Sequence, residues 1–259
     1  MKTALITGGS SGIGLEYSRE FASRGYTLAL VSNKAEDLGA ATESIEKEFG
    51  VAVHTLCADL SEATCAEKVL AWCDSLGLEV EVLVNNAGMF FMEYLSPENL
   101  GKADTMMGLH VCTPTNMCIL FGARMKERGT GYILNMSSMT ARIPAPGIGV
   151  YSASKAYLKS FGKSFSYEMR PFGVSVTTVC PGAVATGLYS VLPALVKILS
   201  MAAKFGLVYS PEKLVRKALR AMFRRRRCVT PGFINHFFAP IVNAIPRFAV
   251  DRIWGKLTR

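Results

Sequence analysis

The N-terminal stretch that decides the fold reads KTALITGGSSGIG, from Lys2 to Gly14. Its first six residues are mostly apolar or β-branched, which predicts a buried strand. The glycines that follow permit positive φ angles and let the backbone approach an anion closely. A helical pattern begins at Gly12, and the free N–H groups of a helix N-terminus attract phosphate. The stretch therefore predicts a pyrophosphate-binding turn formed by Gly8, Ser10, Ser11, Gly12, Ile13 and Gly14.

Short apolar runs alternate with helical patterns along the chain beyond this turn. Strands are predicted over residues 2–7, 26–32, 51–57, 81–85, 132–137 and 174–179. Helices are predicted over residues 12–24, 35–49, 61–76, 151–171 and 211–227, with two more and a bend near Pro114 within residues 96–128. Strands joined by crossover helices form parallel sheets that are covered on both faces. We therefore expect a single α/β domain over residues 1–259, a Rossmann-type doubly wound parallel sheet with a C-terminal helical extension.

The composition favours a globular protein with an uneven charge distribution. Half of the 259 residues are hydrophobic and 19% are charged, which excludes a disordered chain. The formal net charge is +9, and residues 204–259 contain 13 basic and 2 acidic residues. This basic end could face an anionic substrate, a membrane surface or nucleic acid.

The cysteines predict reduced thiols rather than disulfides or a metal site. The chain has seven cysteines and three histidines, with no C-x-x-C pair and no zinc-like spacing. No signal peptide precedes the first strand, so we expect a cytoplasmic protein that can associate with membranes. The longest apolar stretch, residues 188–203, contains Pro193 and Lys197 and is a poor candidate for a membrane span.

The end of the second predicted strand favours NADP over NAD. Dinucleotide-binding proteins commonly have an acidic residue there, which binds the ribose 2′-hydroxyl. This chain has Val31, Ser32, Asn33 and Lys34 instead. Without a carboxylate a 2′-phosphate is not repelled, and Lys34 could pair with it. The alternative is that Lys34 simply points into solvent.

A tyrosine and a lysine open the helix that follows the fifth strand. Tyr151 and Lys155 are four residues apart and share one helix face. A nearby ammonium group favours the phenolate and is expected to lower the tyrosine pKa, which suits a general acid. Ser138 lies thirteen residues upstream of Tyr151 at the end of a strand, where open α/β sheets bind their ligands.

In these motifs, in their order and in their spacing, the chain resembles the short-chain dehydrogenase/reductase family, over about residues 1–186. The resemblance implies hydride transfer between NAD(P)H and a carbonyl or alcohol, without a metal. Ser138 would position the carbonyl oxygen, Tyr151 would protonate it, and Lys155 would lower the tyrosine pKa and hold the nicotinamide ribose. The resemblance adds these residues to the expected cofactor site: Asp59, Leu60, Asn85, Ala87, Gly88, Pro181, Gly182, Val184 and Thr186.

One position departs from the family's pattern. The family commonly has an asparagine in the helix after the fourth strand, where it anchors a water that leads to the lysine. This chain has His110 there. An imidazole could still bind a water or pass a proton, so His110 is a catalytic candidate. The alternative is a helix histidine without a catalytic role.

The segment after Thr186 bears on the substrate. Residues 187–207 are predicted as a substrate lid, and their apolar composition suits a hydrophobic ligand. The basic helix and the aromatic extension over residues 233–259 fit binding at a membrane surface, and they resemble the C-terminal region of reductases that act on fatty-acyl, steroid or sphingoid ketones. Nucleic-acid binding is not expected, because no recognised binding module accompanies the arginines. Members of the family often form homodimers or homotetramers through the two helices around residues 111–125 and 151–171.

Together these features predict an NADP(H)-dependent enzyme that reduces a ketone of a hydrophobic substrate, of the 3-oxoacyl, sphingoid or steroid-like type. The alternatives are an NAD-linked alcohol dehydrogenase of the same family, a non-catalytic NADP-binding regulator, and an adaptor that binds membrane or nucleic acid through the basic tail. An intact Ser138, Tyr151 and Lys155 argues against a regulator, since a sensor of NADP needs none of them.

Overall fold

The computed structural model describes residues 2–142, 145–184 and 208–231. In these ranges seven parallel strands form one sheet in the order β3-β2-β1-β4-β5-β6-β7. The strands are β1 (Thr3–Thr7), β2 (Thr27–Ser32), β3 (Val53–Cys57), β4 (Val80–Asn85), β5 (Gly131–Met136), β6 (Val174–Val179) and β7 (Cys228–Val229). The helices are α1 (Gly12–Ala22), α2 (Ala35–Phe49), α3 (Cys65–Ser75), α4 (Leu100–Met107), α5 (Thr113–Arg128), α6 (Gly149–Met169) and α7 (Pro211–Phe223).

Helices cover both faces of the sheet. Alternate residues of a strand point to opposite faces, and in β1 Ile6 packs with α1, α2 and α7 while Leu5 packs with α3, α5 and α6. The central strands are buried on both sides, as their nearly continuous apolar sequence requires. The predicted doubly wound parallel α/β sheet is confirmed.

The strand order reverses between β1 and β4, which is where such sheets bind their ligands. β1 pairs with β2 on one side and with β4 on the other, so α1 and α2 cover one face while α3, α5 and α6 cover the opposite face. The crevice that opens between the carboxyl ends of β1 and β4 positions the candidate site.

One local prediction needs correction. The basic helix α7 ends at Phe223 and does not reach Arg227, because Arg225 takes a left-handed φ of 54° and the N–H of Arg226 turns back to the carbonyl of Ala221. The two helices predicted within residues 96–128 are present as α4 and α5, and Pro114 lies in the first turn of α5, where proline is tolerated. A π-helical turn over Gly108–Cys112 joins α4 to α5 just before Pro114.

The predicted lid, residues 187–207, and the predicted extension, residues 233–259, lie outside the described residues. None of the helices in the described ranges combines the length and the apolar character needed to cross a membrane.

Candidate active site

A cleft of about 420 Å³ opens at the carboxyl ends of β1, β4 and β5. It joins the glycine turn after β1 to the first turns of α6. Fourteen of the sequence-predicted residues line it: Gly8, Ser11, Gly12, Ile13, Lys34, Ala87, Gly88, His110, Ser138, Tyr151, Lys155, Pro181, Gly182 and Val184. The predicted phosphate-binding and proton-donating residues therefore share one cavity.

The glycine turn leaves no room for a side chain at its closest point. Gly8 and Gly12 have φ angles of 64° and 52°, which favour glycine. A Cβ added to Gly14 would lie 1.8 Å from the carbonyl oxygen of Gly8. Helix α1 thus starts directly against the turn, with its first N–H groups at the cleft. Ser10, which is buried beside the turn, has a hydroxyl without a hydrogen-bond partner among the described residues.

The segment after β4 is held against the turn by Thr7. The Thr7 hydroxyl accepts hydrogen bonds from the backbone N–H groups of Asn86 and Ala87, each at 3.0 Å, and donates to the carbonyl of Val84 at 3.3 Å. Asn85 lies beneath the cleft, where its amide donates to Asn135 Oδ1 at 2.8 Å. Asn85 therefore ties β4 to β5, while its neighbour Asn86 lines the cavity.

Lys34 shares its edge of the cleft with an acid that the sequence analysis did not single out. The ammonium of Lys34 lies 4.0 Å from the carboxylate of Asp37, and both residues line the cavity. Asp37 is in the first turn of α2, where a helix N-terminus stabilises negative charge. Asn33 is exposed and does not line the cavity.

Asp59 and Leu60 follow β3 and lie outside the cavity lining. The exposed carboxylate of Asp59 accepts hydrogen bonds from the backbone N–H and the hydroxyl of Ser61, both at 2.8 Å, which lowers the Asp59 pKa. Leu60 is buried in the core, and its carbonyl accepts a 2.6 Å hydrogen bond from Thr113. In this structure these two residues order the loop after β3.

Tyr151 and Lys155 meet at the inner end of the cleft. The Lys155 ammonium is 5.7 Å from the centre of the Tyr151 ring and donates a 3.1 Å hydrogen bond to the carbonyl of Met136. Burial lowers the pKa of Lys155 to about 8, so this side chain is still largely protonated at neutral pH. A buried cation therefore stands beside the phenol.

Ser138 lies across from Tyr151, just after β5. Its hydroxyl oxygen accepts a 3.2 Å hydrogen bond from the N–H of Thr140. The preceding Ser137 donates a 2.7 Å hydrogen bond to the carbonyl of Lys155, which fixes the end of β5 against α6. The N–H of Met139 donates to the carbonyl of Pro181 at 2.8 Å, so the loop after β6 is attached to the same place.

His110 has protein partners on both ring nitrogens. Its Nε2 accepts a 3.0 Å hydrogen bond from the N–H of Met89, and its Nδ1 lies 3.1 Å from the hydroxyl of Ser154. The Ser154 hydroxyl donates its proton to the carbonyl of Tyr151, so Nδ1 must be the donor to Ser154. Burial, with a further contribution from Lys155, holds the His110 pKa well below 6.5, and the ring is neutral. His110 thereby links the loop after β4 to the first turn of α6.

The structure adds cavity residues that the sequence analysis did not select: Asp37, Asn86, Met89, Met136 and Ser137. Asn86 and Ser137 are sequence neighbours of the predicted site residues Asn85, Ala87 and Ser138, so the same motifs could have identified them. Asp37 lies one helical turn beyond the end of β2, and no spacing rule identified it. Ser10 and Gly14 support the turn from behind the cavity lining, and Thr186 lies outside the described residues.

Comparison with known proteins gives a consistent picture. The sequence model described as short chain dehydrogenase matches residues 2–194. A protein of Mus musculus named very-long-chain 3-oxoacyl-CoA reductase is 32% identical over 259 residues, which covers 96% of this chain and 77% of that protein. The Rattus norvegicus protein of the same name is 33% identical over 254 residues, covering 95% and 76% of the two chains.

Among solved structures, the short-chain dehydrogenase from Sphingobium yanoikuyae in complex with NADPH is 27% identical, with a TM-score of 0.79 and coverage of 95% of this chain and 97% of that one. L-sorbose reductase from Gluconobacter frateurii, complexed with NADPH and L-sorbose, is 25% identical, with a TM-score of 0.79 and coverage of 90% and 96%. With the family model matching most of its length and the seven-stranded sheet in common, the chain belongs to the short-chain dehydrogenase family of oxidoreductases.

Proposed function

We propose that this protein uses NADPH to reduce a ketone on a hydrophobic substrate of the 3-oxoacyl type. The observation that carries the proposal is the single cleft that holds the glycine turn together with Ser138, Tyr151 and Lys155. A site for dinucleotide binding alone would not need a phenol next to a buried ammonium. The names of the mouse and rat relatives support a long-chain 3-oxoacyl substrate.

The residues present fit a dinucleotide. The close contact of Gly14 with Gly8 makes a backbone cradle that any side chain would fill, and the first turn of α1 directs N–H groups to it. The buried hydroxyl of Ser10, which has no hydrogen-bond partner within the described ranges, can also turn toward a phosphate oxygen. NADPH, when bound, supplies the hydride. The glycine turn would hold its pyrophosphate, and Tyr151 and Lys155 line the same cleft.

The proton chemistry falls to three side chains. The Ser138 hydroxyl oxygen accepts a hydrogen bond from the N–H of Thr140, and its proton would be donated to the carbonyl oxygen of the substrate. Tyr151 donates the proton that the carbonyl oxygen requires once it becomes an alcohol. Lys155, protonated at neutral pH, stabilises the phenolate that remains.

The surroundings of Tyr151 suit an apolar substrate. The ring packs edge-to-face against Phe90 with 5.0 Å between centroids, and Phe91, Met106 and Ile148 form a buried cluster with it. Met89, which packs against this cluster, lines the cleft together with Tyr151, and an apolar side chain at this position favours a hydrophobic substrate.

The charge pair of Lys34 and Asp37 after β2 bears on the preference for NADPH over NADH. Replacing Lys34 by alanine should weaken NADPH binding about tenfold, because a charged partner of the 2′-phosphate is lost, while NADH binding should change little. Replacing Asp37 by asparagine is the matched control. It should strengthen NADPH binding, because it removes a carboxylate that repels the phosphate. Titration of both variants with NADPH and NADH measures the effect. An equal loss of both dinucleotides in Lys34→Ala would exclude the phosphate contact and favour an NAD-linked enzyme.

The substrate proposal is tested with 3-ketones of increasing acyl chain length. NADPH consumption is followed at fixed enzyme concentration, with NADH in parallel. We expect kcat/KM to rise with chain length, because each buried methylene contributes about 0.8 kcal/mol of binding. Turnover of short polar ketones alone would contradict the hydrophobic substrate, and NADPH binding without any turnover would favour a regulator.

We also propose that two copies pair through α5 and α6. Ile119 and Tyr157 expose about half and 40% of their surface on these helices, and Tyr157 stacks on Phe161 to give an apolar face.

The basic segment after α7, with Arg224, Arg225 and Arg226 exposed, supports peripheral contact of a cytoplasmic protein with an anionic membrane.

A further inference from the structure

The segment that joins β4 to α4 exposes apolar side chains beside the cleft. Leu95 and Leu100 expose 59% and 62% of their surface, the largest fractions among the large apolar side chains in the described ranges, and Tyr94 exposes 57%. Exposed leucines that occur singly are ordinary, whereas a group of them on one short segment commonly marks a binding surface. We call Leu95 and Leu100 the leucine rim. The proton chemistry does not use these side chains.

Side-chain hydrogen bonds hold the leucine rim in place. A capping box joins Ser96 and Asn99: the N–H of Ser96 donates to Asn99 Oδ1 at 3.1 Å, and the Ser96 side chain accepts from the N–H of Asn99. Asn99 is buried, and its amide donates a 2.8 Å hydrogen bond to the carbonyl of Tyr94. Leu95 and Leu100 flank this turn directly, so the turn fixes the position from which both leucines face solvent.

A line of apolar side chains connects the rim to Tyr151. Met89 lines the cleft together with Tyr151 and packs against the buried apolar cluster to which Tyr151 belongs. Three residues further on, Met92 packs against the same cluster. Leu95 follows at the start of α6, because a Cβ added to Gly149 would lie 3.9 Å from Leu95 Cδ1. The segment therefore leads from the proposed proton donor to the outside of the protein.

The cleft is too small for a dinucleotide and a long acyl chain together. Its volume in the described part of the chain is about 420 Å³, which suits one drug-sized ligand. The residues that fit the dinucleotide line most of it, since the cavity extends from the glycine turn to Lys155. The distal part of a long acyl substrate would therefore lie outside the cleft, beyond Met89.

The charges and the size of the rim discriminate between its possible partners. Residues 89–107 contain three acidic residues and one basic residue, and Glu93, Glu98 and Asp104 are all exposed. These carboxylates would be repelled by an anionic membrane surface. Two leucines also present far less than the roughly 800 Å² per partner that a stable dimer interface buries. A single uncharged alkyl chain meets neither objection.

We propose that the leucine rim binds the distal part of the substrate's acyl chain, which makes Leu95 and Leu100 determinants of chain-length specificity. The inference rests on the proposed reduction of a 3-oxoacyl substrate, since a ketone held at Tyr151 fixes where the chain begins. The chain would pass Met89 and Met92, and its distal methylenes would lose contact with water at the two leucines. A short acyl chain ends before the rim and does not contact it.

Binding of an acyl chain that cannot be reduced tests the subsite without turnover. Hexadecanoyl and hexanoyl thioesters of N-acetylcysteamine, which carry no ketone, are titrated into the protein by calorimetry, with and without NADPH. The long thioester is kept below its critical micelle concentration. In Leu95→Ser and in Leu100→Ser we expect the Kd of the hexadecanoyl thioester to rise about tenfold, because the apolar contacts of one leucine are lost. The Kd of the hexanoyl thioester should change little.

Leu76→Ser is the matched control. Leu76 exposes 45% of its surface just after α3 and does not line the cleft, so its replacement should leave both titrations unchanged. The proposal is overturned if the unmodified protein binds both thioesters equally tightly, if both rim variants retain affinity for the long thioester, or if Leu76→Ser loses as much affinity. Retained thioester affinity with lost sedimentation on phosphatidylserine vesicles would assign the rim to a membrane surface instead.

Kinetics separate this inference from the proposed function. With 3-oxohexadecanoyl and 3-oxohexanoyl thioesters, the ratio of the long-chain to the short-chain kcat/KM should fall about tenfold in the rim variants. Absence of turnover in every protein, with the calorimetric differences present, would end the proposed reduction and leave the acyl-binding surface standing. Turnover with an unchanged ratio would refute the acyl-binding surface alone.

Discussion

Replacing Tyr151 by phenylalanine is expected to reduce turnover by about 10²- to 10⁴-fold, the contribution of a positioned general acid. The variant removes one hydroxyl and keeps the ring, which packs against Phe90 and His110 with centroid distances of 5.0 and 5.7 Å. The fold and the glycine turn should therefore be unaffected. NADPH titration and steady-state kinetics on the same preparation separate the two effects: kcat falls, and the Kd of the cofactor changes little.

A second tyrosine on the same helix provides the control. Tyr157 is partly exposed on α6, and its hydroxyl lies 3.1 Å from that of Thr115, away from the cleft. Tyr157→Phe should lose a single exposed hydrogen bond and retain full turnover. If Tyr151→Phe keeps turnover comparable to Tyr157→Phe, the phenol is not the proton donor and the proposed chemistry is wrong.

The motifs of the site could be predicted from the sequence because each is local. A strand, a glycine turn and a helix start within the first fourteen residues, and Tyr151 and Lys155 are one helical turn apart. The parallel sheet then brings these motifs together, because all the carboxyl ends of its strands lie at one edge. The sheet therefore brings Gly8, Ser138 and Tyr151 into one cleft although they are far apart in the chain.

Features that depend on a partner from a distant segment could not be predicted. The sequence indicates His110 as an unusual residue, but not that Met89 and Ser154 would engage both of its ring nitrogens. With both nitrogens occupied, the imidazole has no position left for the water that the family's asparagine anchors. This geometry favours a role in positioning α6 over proton transfer.

Asp37 and the end of α7 were missed for a different reason. Asp37 is an ordinary acid in a first helical turn, and only the fold directs it to the same cavity as Lys34. Arginine is a good helix former, and the run of arginines after Phe223 contains no glycine or proline. The sequence therefore has no signal that marks the end of α7. The left-handed conformation of Arg225, which is stabilised by its hydrogen bond to the carbonyl of Gly173, ends the helix instead.

Gly14→Ala is the second change with a large expected effect, and it tests the cradle without touching the proton donors. The added Cβ would lie 1.8 Å from the carbonyl oxygen of Gly8 and 2.7 Å from Nδ2 of Asn86, so backbone must move. Helix α1 would be pushed away from the turn that receives the phosphates. We expect NADPH affinity to fall by about 100-fold, with overpacking that costs about 1–3 kcal/mol in the free energy of unfolding.

Gly39→Ala is the matched substitution. Gly39 is exposed in the middle of α2, and an added Cβ would meet nothing within 4 Å. There the change should leave NADPH binding intact and stabilise the protein by about 0.4–1 kcal/mol, since alanine favours the helix and restricts the unfolded chain. Denaturant unfolding measures the stability of both variants, and NADPH titration measures their affinity for the cofactor. Tight NADPH binding by Gly14→Ala would mean that the dinucleotide phosphates do not bind at this turn, because its backbone could then be displaced without consequence.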